Sequence, residues 1–275
     1  MRSCVALLSD FGSRDIYVGV MKSVIASIHP QVSTIDLTHE IPPGDVRQAA
    51  FRLWQALPFL PPGAVLLAVV DPGVGSGRRA VAVECGDFAC VGPDNGIFTF
   101  VLEGRRDARA VEITHLKARG RSSTFHGRDI FAPAAGLLAS GVDAASLGPA
   151  VAHPLAIPWP RLSFSEKSLR GEALYADRFG NMVTSVGVLS RDGDTLRLEP
   201  WVPGCAPLEL PASRLRIRAG AGPELPLVHT FAEVPKGAAL AYIGSDRLLE
   251  IGVNLGSAAD TLKLSSGMDI TISWS

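Results

Sequence analysis

Apolar residues recur along the first half of the chain in two rhythms. Short, largely β-branched runs at Val5 to Leu8, Val32 to Leu37, Val65 to Val70 and Ala80 to Glu84 read as strands. Between the first two, Tyr17, Val20, Met21, Val24, Ile25 and Ile28 fall at three- and four-residue steps, which puts them on one face of a helix. A second helix is expected from Asp45 to about Leu57 and a third after Asp94, where an Asp at a helix start can accept from unpaired N–H groups. Strands and helices in alternation predict a layered α/β domain. The uncharged stretch Leu53 to Val70 approaches membrane-spanning length, but Pro58, Pro61, Pro62 and Gly63 break it, so it reads as helix, turn and strand.

From Val151 to Arg161 the period is lost and prolines gather at 154, 158 and 160, the mark of a linker. Beyond it, short runs separated by Gly, Pro and Asp predict a small antiparallel β-barrel: Gly171 to Ala176, Met182 to Val186, Thr195 to Leu198, Leu215 to Ile217, Ala238 to Ile243, Leu248 to Val253 and Ile270 to Trp274. The division expected is an α/β domain over 1–152, a linker over 153–168 and a β-barrel domain over 169–275.

At 275 residues and 47% hydrophobic, the chain has the length of one large or two ordinary domains and material for real cores, which excludes disorder, collagen and coiled coil. Its 26 basic and 27 acidic side chains nearly cancel, so nothing favours a nucleic-acid or anionic-membrane partner. The apolar run after Arg2 is too short for a signal peptide, and Cys4, Cys85, Cys90 and Cys205 form no C-x-x-C pair; both fit a reducing cytoplasm.

Ligands of α/β sheets bind at the carboxyl ends of strands, and this chain places Ser9-Asp10-Phe11-Gly12, Asp36-Leu37-Thr38-His39 and Asp71-Pro72-Gly73-Val74-Gly75 there. Any one of these Asp residues could simply cap a turn; three together favour a site. The glycines after Asp71 fit neither G-x-G-x-x-G nor G-K-[ST], so a nucleotide-phosphate loop is unsupported. They do form a tight turn across which Arg78 or Arg79 can fold back on the Asp71 carboxylate, the alternative being a solvated Arg pair. His126, before a helical run, is a candidate acid, base or orienting donor, though a lone His is more often structural. In the second domain Asp177, Phe179 and Asn181 surround a turn that by itself needs only Gly180 and the Asn; the acid, the ring and the amide could hold an ammonium, stack on a ring and exchange hydrogen bonds. The six histidines form no H-E-x-x-H and no Cys/His cluster, so a metal is not expected.

Together these stretches resemble the S-adenosylmethionine (SAM) hydroxide adenosyltransferase family, the SAM hydrolases, relatives of the fluorinating and chlorinating enzymes that act on the same substrate. The resemblance rests on Ser9 to Gly12 with Asp15 and Tyr17-Val18-Gly19, on Asp36 to Pro43, on Val70 to Gly75 with Arg78, on Gly92 to Gly96, on Thr124 to Asp129 and on Asp177 to Asn181, in that order. It implies hydrolysis of SAM to adenosine and L-methionine by water or hydroxide attacking the ribose 5′ carbon, with SAM as substrate and no cofactor. The family's catalytic Asp, Arg and His match Asp71, Arg78 and His126. The halogenating relatives carry an aromatic residue where Asp71 stands, and the fluorinating ones a Ser at Gly127; both differences favour water. The match also implies Asp10 on the ribose hydroxyls, Asp177 on the methionine ammonium, Phe179 and Asn181 on adenine, Ser245 on the methionine carboxylate, and backbone at Val253 and Leu255 on adenine. Gly244-Ser245-Asp246-Arg247 departs from the family's Asn-Ser-x-Gly turn, with Asp246 where the fluorinating relatives have an Arg. A homotrimer with sites at subunit interfaces is implied as well. The competing readings are a metal-dependent hydrolase built on Asp10, Asp71, Asp94 and His126, and a non-catalytic sensor of SAM or adenosine.

Overall fold

A computed structural model describes residues 3–116 and 122–275, in two compact units, Met1–Ile157 and Pro158–Ser275. The first runs β1 (Cys4–Ser9), α1 (Tyr17–Ile28), β2 (Ser33–Thr38), α2 (Val46–Ala56), β3 (Ala64–Val69), β4 (Ala80–Cys85), β5 (Phe88–Pro93), α3 (Thr99–Leu102), β6 (Arg109–Glu112), α4 (Ala132–Ala139) and β7 (Ala150–Val151). Its sheet has the order β2-β1-β3-β5-β4-β6-β7. The first four strands of that order are parallel, and β4, β6 and β7 are antiparallel additions.

β1 and β3 are apolar at nearly every position because both faces of the sheet are covered. The pleat sends Val5, Leu7, Val65 and Leu67 into a core shared with Met21, Ile25 and Leu138, and Ala6, Leu8, Leu66 and Ala68 into another with Ala49, Leu53 and Val101. Since β1, β2 and β3 run parallel, their carboxyl ends share one edge, and the loops beginning at Asp10, His39 and Asp71 leave from it.

The helix expected after Asp45 forms, with the Asp45 carboxylate accepting from Gln48 N–H. The one expected after Asp94 forms only as the short turn Thr99–Leu102, which starts five residues on and is not capped by Asp94. Asp94 is buried, and its carboxylate accepts from the Arg79 guanidinium and the Leu155 N–H. With Ile157 N–H donating to Thr99 Oγ1, this fastens residues 153–157 to the first unit. A further strand, Phe88–Pro93, is not marked by the sequence pattern; it returns from β4 through a two-residue turn at Gly86 and Asp87 and inserts beside β3.

The second unit is an antiparallel, barrel-like sheet of β8 (Ser163–Ser165), β9 (Ser168–Ala176), β10 (Met182–Asp192), β11 (Thr195–Glu199), β12 (Leu208–Pro211), β13 (Leu215–Ala219), β14 (Glu224–Leu225), β15 (Leu227–Val228), β16 (Ala239–Ile243), β17 (Leu248–Val253) and β18 (Asp269–Trp274), with α5 (Ala258–Thr261) before the last strand; one pair, β15 and β16, is parallel. The path β14-β13-β18-β9-β10-β17-β16-β15 nearly closes, since β14 approaches β16. Inward residues such as Leu169, Val186, Leu249, Ile251 and Ile272 fill it. Among the described residues no helix is long and apolar enough to cross a membrane.

Leu67 lies at the centre of β3 and is fully buried. Leu67→Ala is expected to lower unfolding free energy by about 2–5 kcal/mol, read from the urea midpoint at unchanged slope.

Candidate active site

At the shared strand edge of the first unit lies a cleft of about 400 Å³, lined by Asp10, Phe11, Pro43, Asp71, Phe125 and His126 among others. Its size suits a nucleoside-sized ligand, and its walls are mostly apolar with a few polar groups converging.

The Asp71 to Arg78 turn is built as its spacing suggested. Val74 N–H donates to Asp71 C=O and Ser76 N–H to Gly73 C=O, which reverses the chain twice in quick succession. The Arg78 stem then passes over Gly73, where a Cβ would stand 3.3 Å from Arg78 Cγ. Gly75 has φ +79, and a Cβ there would lie 2.8 Å from the Ser123 carbonyl oxygen, so this glycine lets the turn press against the segment that carries His126.

Each nitrogen of the Arg78 guanidinium is engaged. Nε donates to Asp71 Oδ1 at 2.8 Å, Nη2 to Asp71 Oδ2, and Nη1 to the Arg79 carbonyl at 3.2 Å. Nη2 also contacts His126 Nδ1 at 2.8 Å, and the guanidinium carbon sits 5.1 Å from the centre of the Phe131 ring. Arginine only donates, so Nδ1 must accept and the His126 ring carries its proton on Nε2. The pair is secluded, with 11% of the Arg78 side chain and 6% of the Asp71 side chain exposed.

His126 immediately precedes a π-helical turn, Gly127–Phe131, that leads into α4. Such turns place a side chain off the ordinary helical face and recur at functional sites. The approach to it is fixed by Asp129, which accepts from Ser122 N–H and pairs with Arg128; that pairing holds its carboxyl below the usual carboxylate range. Gly127 is close-packed: a Cβ there would meet Met21 Sδ at 2.9 Å and Phe125 at 3.1 Å. Phe11, Tyr17 and Phe125 form an aromatic cluster beside it. Asp10 lines the same cleft, with Oδ2 accepting from Gly44 N–H at 2.9 Å.

In the second unit, Asp177 organises its own turn by accepting from Phe179 N–H, Asn181 N–H and Asn181 Nδ2. Gly180, at φ +83, packs so tightly on Ser257 that a Cβ would fall 2.2 Å from Ser257 Oγ, while its carbonyl accepts from Ala259 N–H. Asn181 Oδ1 faces Gly252, next to Val253, so Asp177, Phe179, Asn181, Val253 and Leu255 belong to one cluster of loops. Phe179 is 77% and Leu255 80% exposed, and Leu255 holds a left-handed φ of 55°. Ser245 is set apart, exposed in the turn joining β16 to β17, the length of β17 away from Val253, roughly 17 Å at 3.3 Å per residue. No motif singles out Tyr242, whose hydroxyl donates to the buried Glu250 carboxylate, or Phe231, whose ring packs tilted against it with centroids 4.9 Å apart. Burial first, and then that carboxylate, push the Tyr242 hydroxyl far above its ordinary range.

Asp10, Asp71, Asp94 and His126 do not gather into a metal-binding cluster. The Asp71 carboxylate is held by Arg78 and the Asp94 carboxylate by Arg79. Among the described residues no group of three or more His, Cys, Asp and Glu side chains is arranged to hold a metal.

A family model described as the SAM hydroxide adenosyltransferase N-terminal domain matches residues 5–148, and one described as its C-terminal domain matches residues 171–271. A Thermus thermophilus protein named (R)-S-adenosyl-L-methionine hydrolase is 42% identical, over 98% of both chains. A Salinispora tropica protein of the same name is 40% identical, over 96% of this chain and 95% of that one. More distant relatives named Fluorinase match at 24–25% identity. Among solved structures, an uncharacterized conserved protein from Thermotoga maritima superposes with a TM-score of 0.83 at 33% identity, covering 98% of this chain and 99% of that one.

Arg78→Met leaves the buried Asp71 carboxylate without its counter-ion, for an expected loss of about 3–5 kcal/mol in urea unfolding; adding Asp71→Asn is expected to return part of it.

Proposed function

The chain belongs to the SAM hydroxide adenosyltransferase family, and on that premise we propose that Asp71, Arg78 and His126 carry out the hydrolysis of S-adenosyl-L-methionine to adenosine and L-methionine. The observation that carries the assignment is the single guanidinium joining Asp71 to His126 at the wall of the cleft.

In this reading water attacks the ribose 5′ carbon opposite the sulfonium. A C–O bond forms, the C–S bond breaks with its electron pair going to sulfur, and the positive sulfur becomes a neutral thioether that needs no acid. The difficulty lies with the nucleophile, since water has a pKa of about 15.7. Asp71, held bidentately, offers its remaining lone pairs to aim the water and receive its proton. His126 acts as a donor through Nε2, stabilising the hydroxide character of the attacking oxygen. Arg78 fixes both and keeps a positive charge beside the oxygen. Holding water in line supplies several kcal/mol of the ~7–11 available to ideally oriented reactants.

Asp10 takes the ribose hydroxyls, Asp177 the ammonium, Phe179 and Asn181 with the backbone at Val253 and Leu255 the adenine, and Ser245 the methionine carboxylate. The exposed apolar side chains of Phe179 and Leu255 support a role in contact with a partner surface or ligand. We place the protein in the cytoplasm, in keeping with its four cysteine thiols, as a homotrimer with sites shared between subunits and no metal requirement.

Turnover of SAM in ¹⁸O-labelled water should put the heavy oxygen on the adenosine 5′ position by mass spectrometry; label absent from that oxygen would refute attack at carbon 5′. Asp71→Asn and His126→Ala should each lower kcat at least tenfold with smaller changes in KM. Activity should survive exhaustive chelation, whereas the metal-dependent reading requires its loss.

A further inference from the structure

The strand-end motif Asp36 to His39 takes no part in the chemistry above, yet its side chains form a continuous array reaching the cleft. Lys22 Nζ donates to Asp36 Oδ2 at 2.5 Å, Asp36 Oδ1 lies 3.0 Å from His39 Nε2, and His39 Nδ1 lies 2.8 Å from Ser9 Oγ. Ser9 Oγ in turn accepts from Phe11 N–H at 3.3 Å. The outer end is open to solvent, with the Asp36 side chain 44% exposed, while Ser9 is fully buried and His39 nearly so. Burial of Asp36 is outweighed by its bonds from Lys22 and His39, which hold its carboxyl below the usual range, so it stays an acceptor for Nε2–H. In the neutral ring that leaves Nδ1 to accept the Ser9 hydroxyl proton.

Ser, His and Asp in contact suggest a nucleophilic triad, but a hydroxyl with no exposed surface cannot reach a substrate. What the array does touch is the Asp10 turn, and it does so on both sides. Ser9 precedes Asp10 and ties its own side chain to Phe11 N–H, while Gly12 N–H donates to the His39 carbonyl at 2.8 Å. Asp10 is thus the middle of a turn whose two flanks both end on His39. Its carboxylate then accepts Gly44 N–H, from the segment that follows His39.

We propose that His39 is a positioning residue that, through Ser9 and through its own carbonyl, holds the Asp10 carboxylate where it meets the ribose hydroxyls of the substrate. Ser9 relays that constraint, and Asp36 with Lys22 fixes the ring orientation. The inference rests on the reading of Asp10 as the ribose ligand.

The test compares kcat/KM for SAM with that for its 2′-deoxyribose analogue in the wild type, in Asp10→Asn and in His39→Ala, with thermal unfolding recorded for each. The ratio between the two substrates reads the ribose contact, and a merely structural loss lowers both alike. His39→Ala is expected to reduce the wild-type preference for the ribose substrate at least threefold, chiefly through KM, as Asp10→Asn also does. A preference lowered by Asp10→Asn and unchanged by His39→Ala overturns this inference alone. A preference unchanged by Asp10→Asn overturns the ribose role of Asp10 and the inference with it. Should His39→Ala not fold, Ser9→Ala cuts the same array at one atom and is expected to reduce the preference in the same direction; an unchanged preference there overturns the relay.

Discussion

The Arg78 guanidinium is the constraint on which the site depends. A carboxylate and an imidazole at a largely apolar cleft wall are costly to desolvate unless their hydrogen-bonding capacity is met, and here one planar cation meets both while its remaining nitrogen is satisfied by the Arg79 carbonyl. Lysine could not do this, because the arrangement needs two parallel donors on the carboxylate and a third direction toward the ring. The local sequence makes the geometry available. Reversals at Asp71 to Ser76 bring the arginine back, Gly73 gives its stem a path, and Gly75 brings the whole turn against the backbone before His126. Phe131, at the far end of the π-helical turn, then closes over the guanidinium.

Which parts of this were legible in the sequence follows from the range of the interactions involved. The first four strands, the helix face of α1 and the Asp45 cap are local or periodic features, and they fold as the pattern predicts. The return of Arg78 on Asp71 was likewise readable, since seven residues with three glycines among them restrict where the side chain can go. Asp94 shows the failure mode. An Asp before a turn signals a cap only if nothing better competes for its oxygens, and a guanidinium from β4's approach together with an amide sixty-one residues away competes successfully. No window centred on Asp94 contains that information. The insertion of β5 was missed for a related reason: a hairpin partner in an otherwise parallel region is chosen by the sheet, not by the strand's own composition.

The two units solve different physical problems. In the first, the Asp71–Arg78 pair at the cleft is secluded and held by several hydrogen bonds, which suits charges that must be preorganised before any substrate arrives. In the second, Asp177 uses three of its acceptor positions to shape a turn, and that turn and the one at Leu255 present large, apolar, exposed side chains, Phe179 and Leu255. Leu255 does so from a left-handed backbone conformation that costs of order 1–3 kcal/mol, a cost borne because Val253 and Gly256 bridge beneath it. Exposure and strain of this kind add nothing to the stability of an isolated unit.

The two histidines near the cleft show why residue type alone does not assign a role. Both follow strand ends or loops, and both touch a charged group, but the sign of that charge differs. At His126 the partner is a cation that can only donate, so it consumes the Nδ1 lone pair and leaves the ring a donor through Nε2. At His39 the partner is a carboxylate on Nε2, and the other nitrogen meets a buried serine, so both ring atoms are spent within the protein. With the serine hydroxyl fully buried and the ring nearly so, neither reaches a ligand, and the ring holds its neighbours in place. On the function proposed above, the chemistry falls to the histidine paired with arginine, and the geometry of the neighbouring carboxylate to the one paired with aspartate.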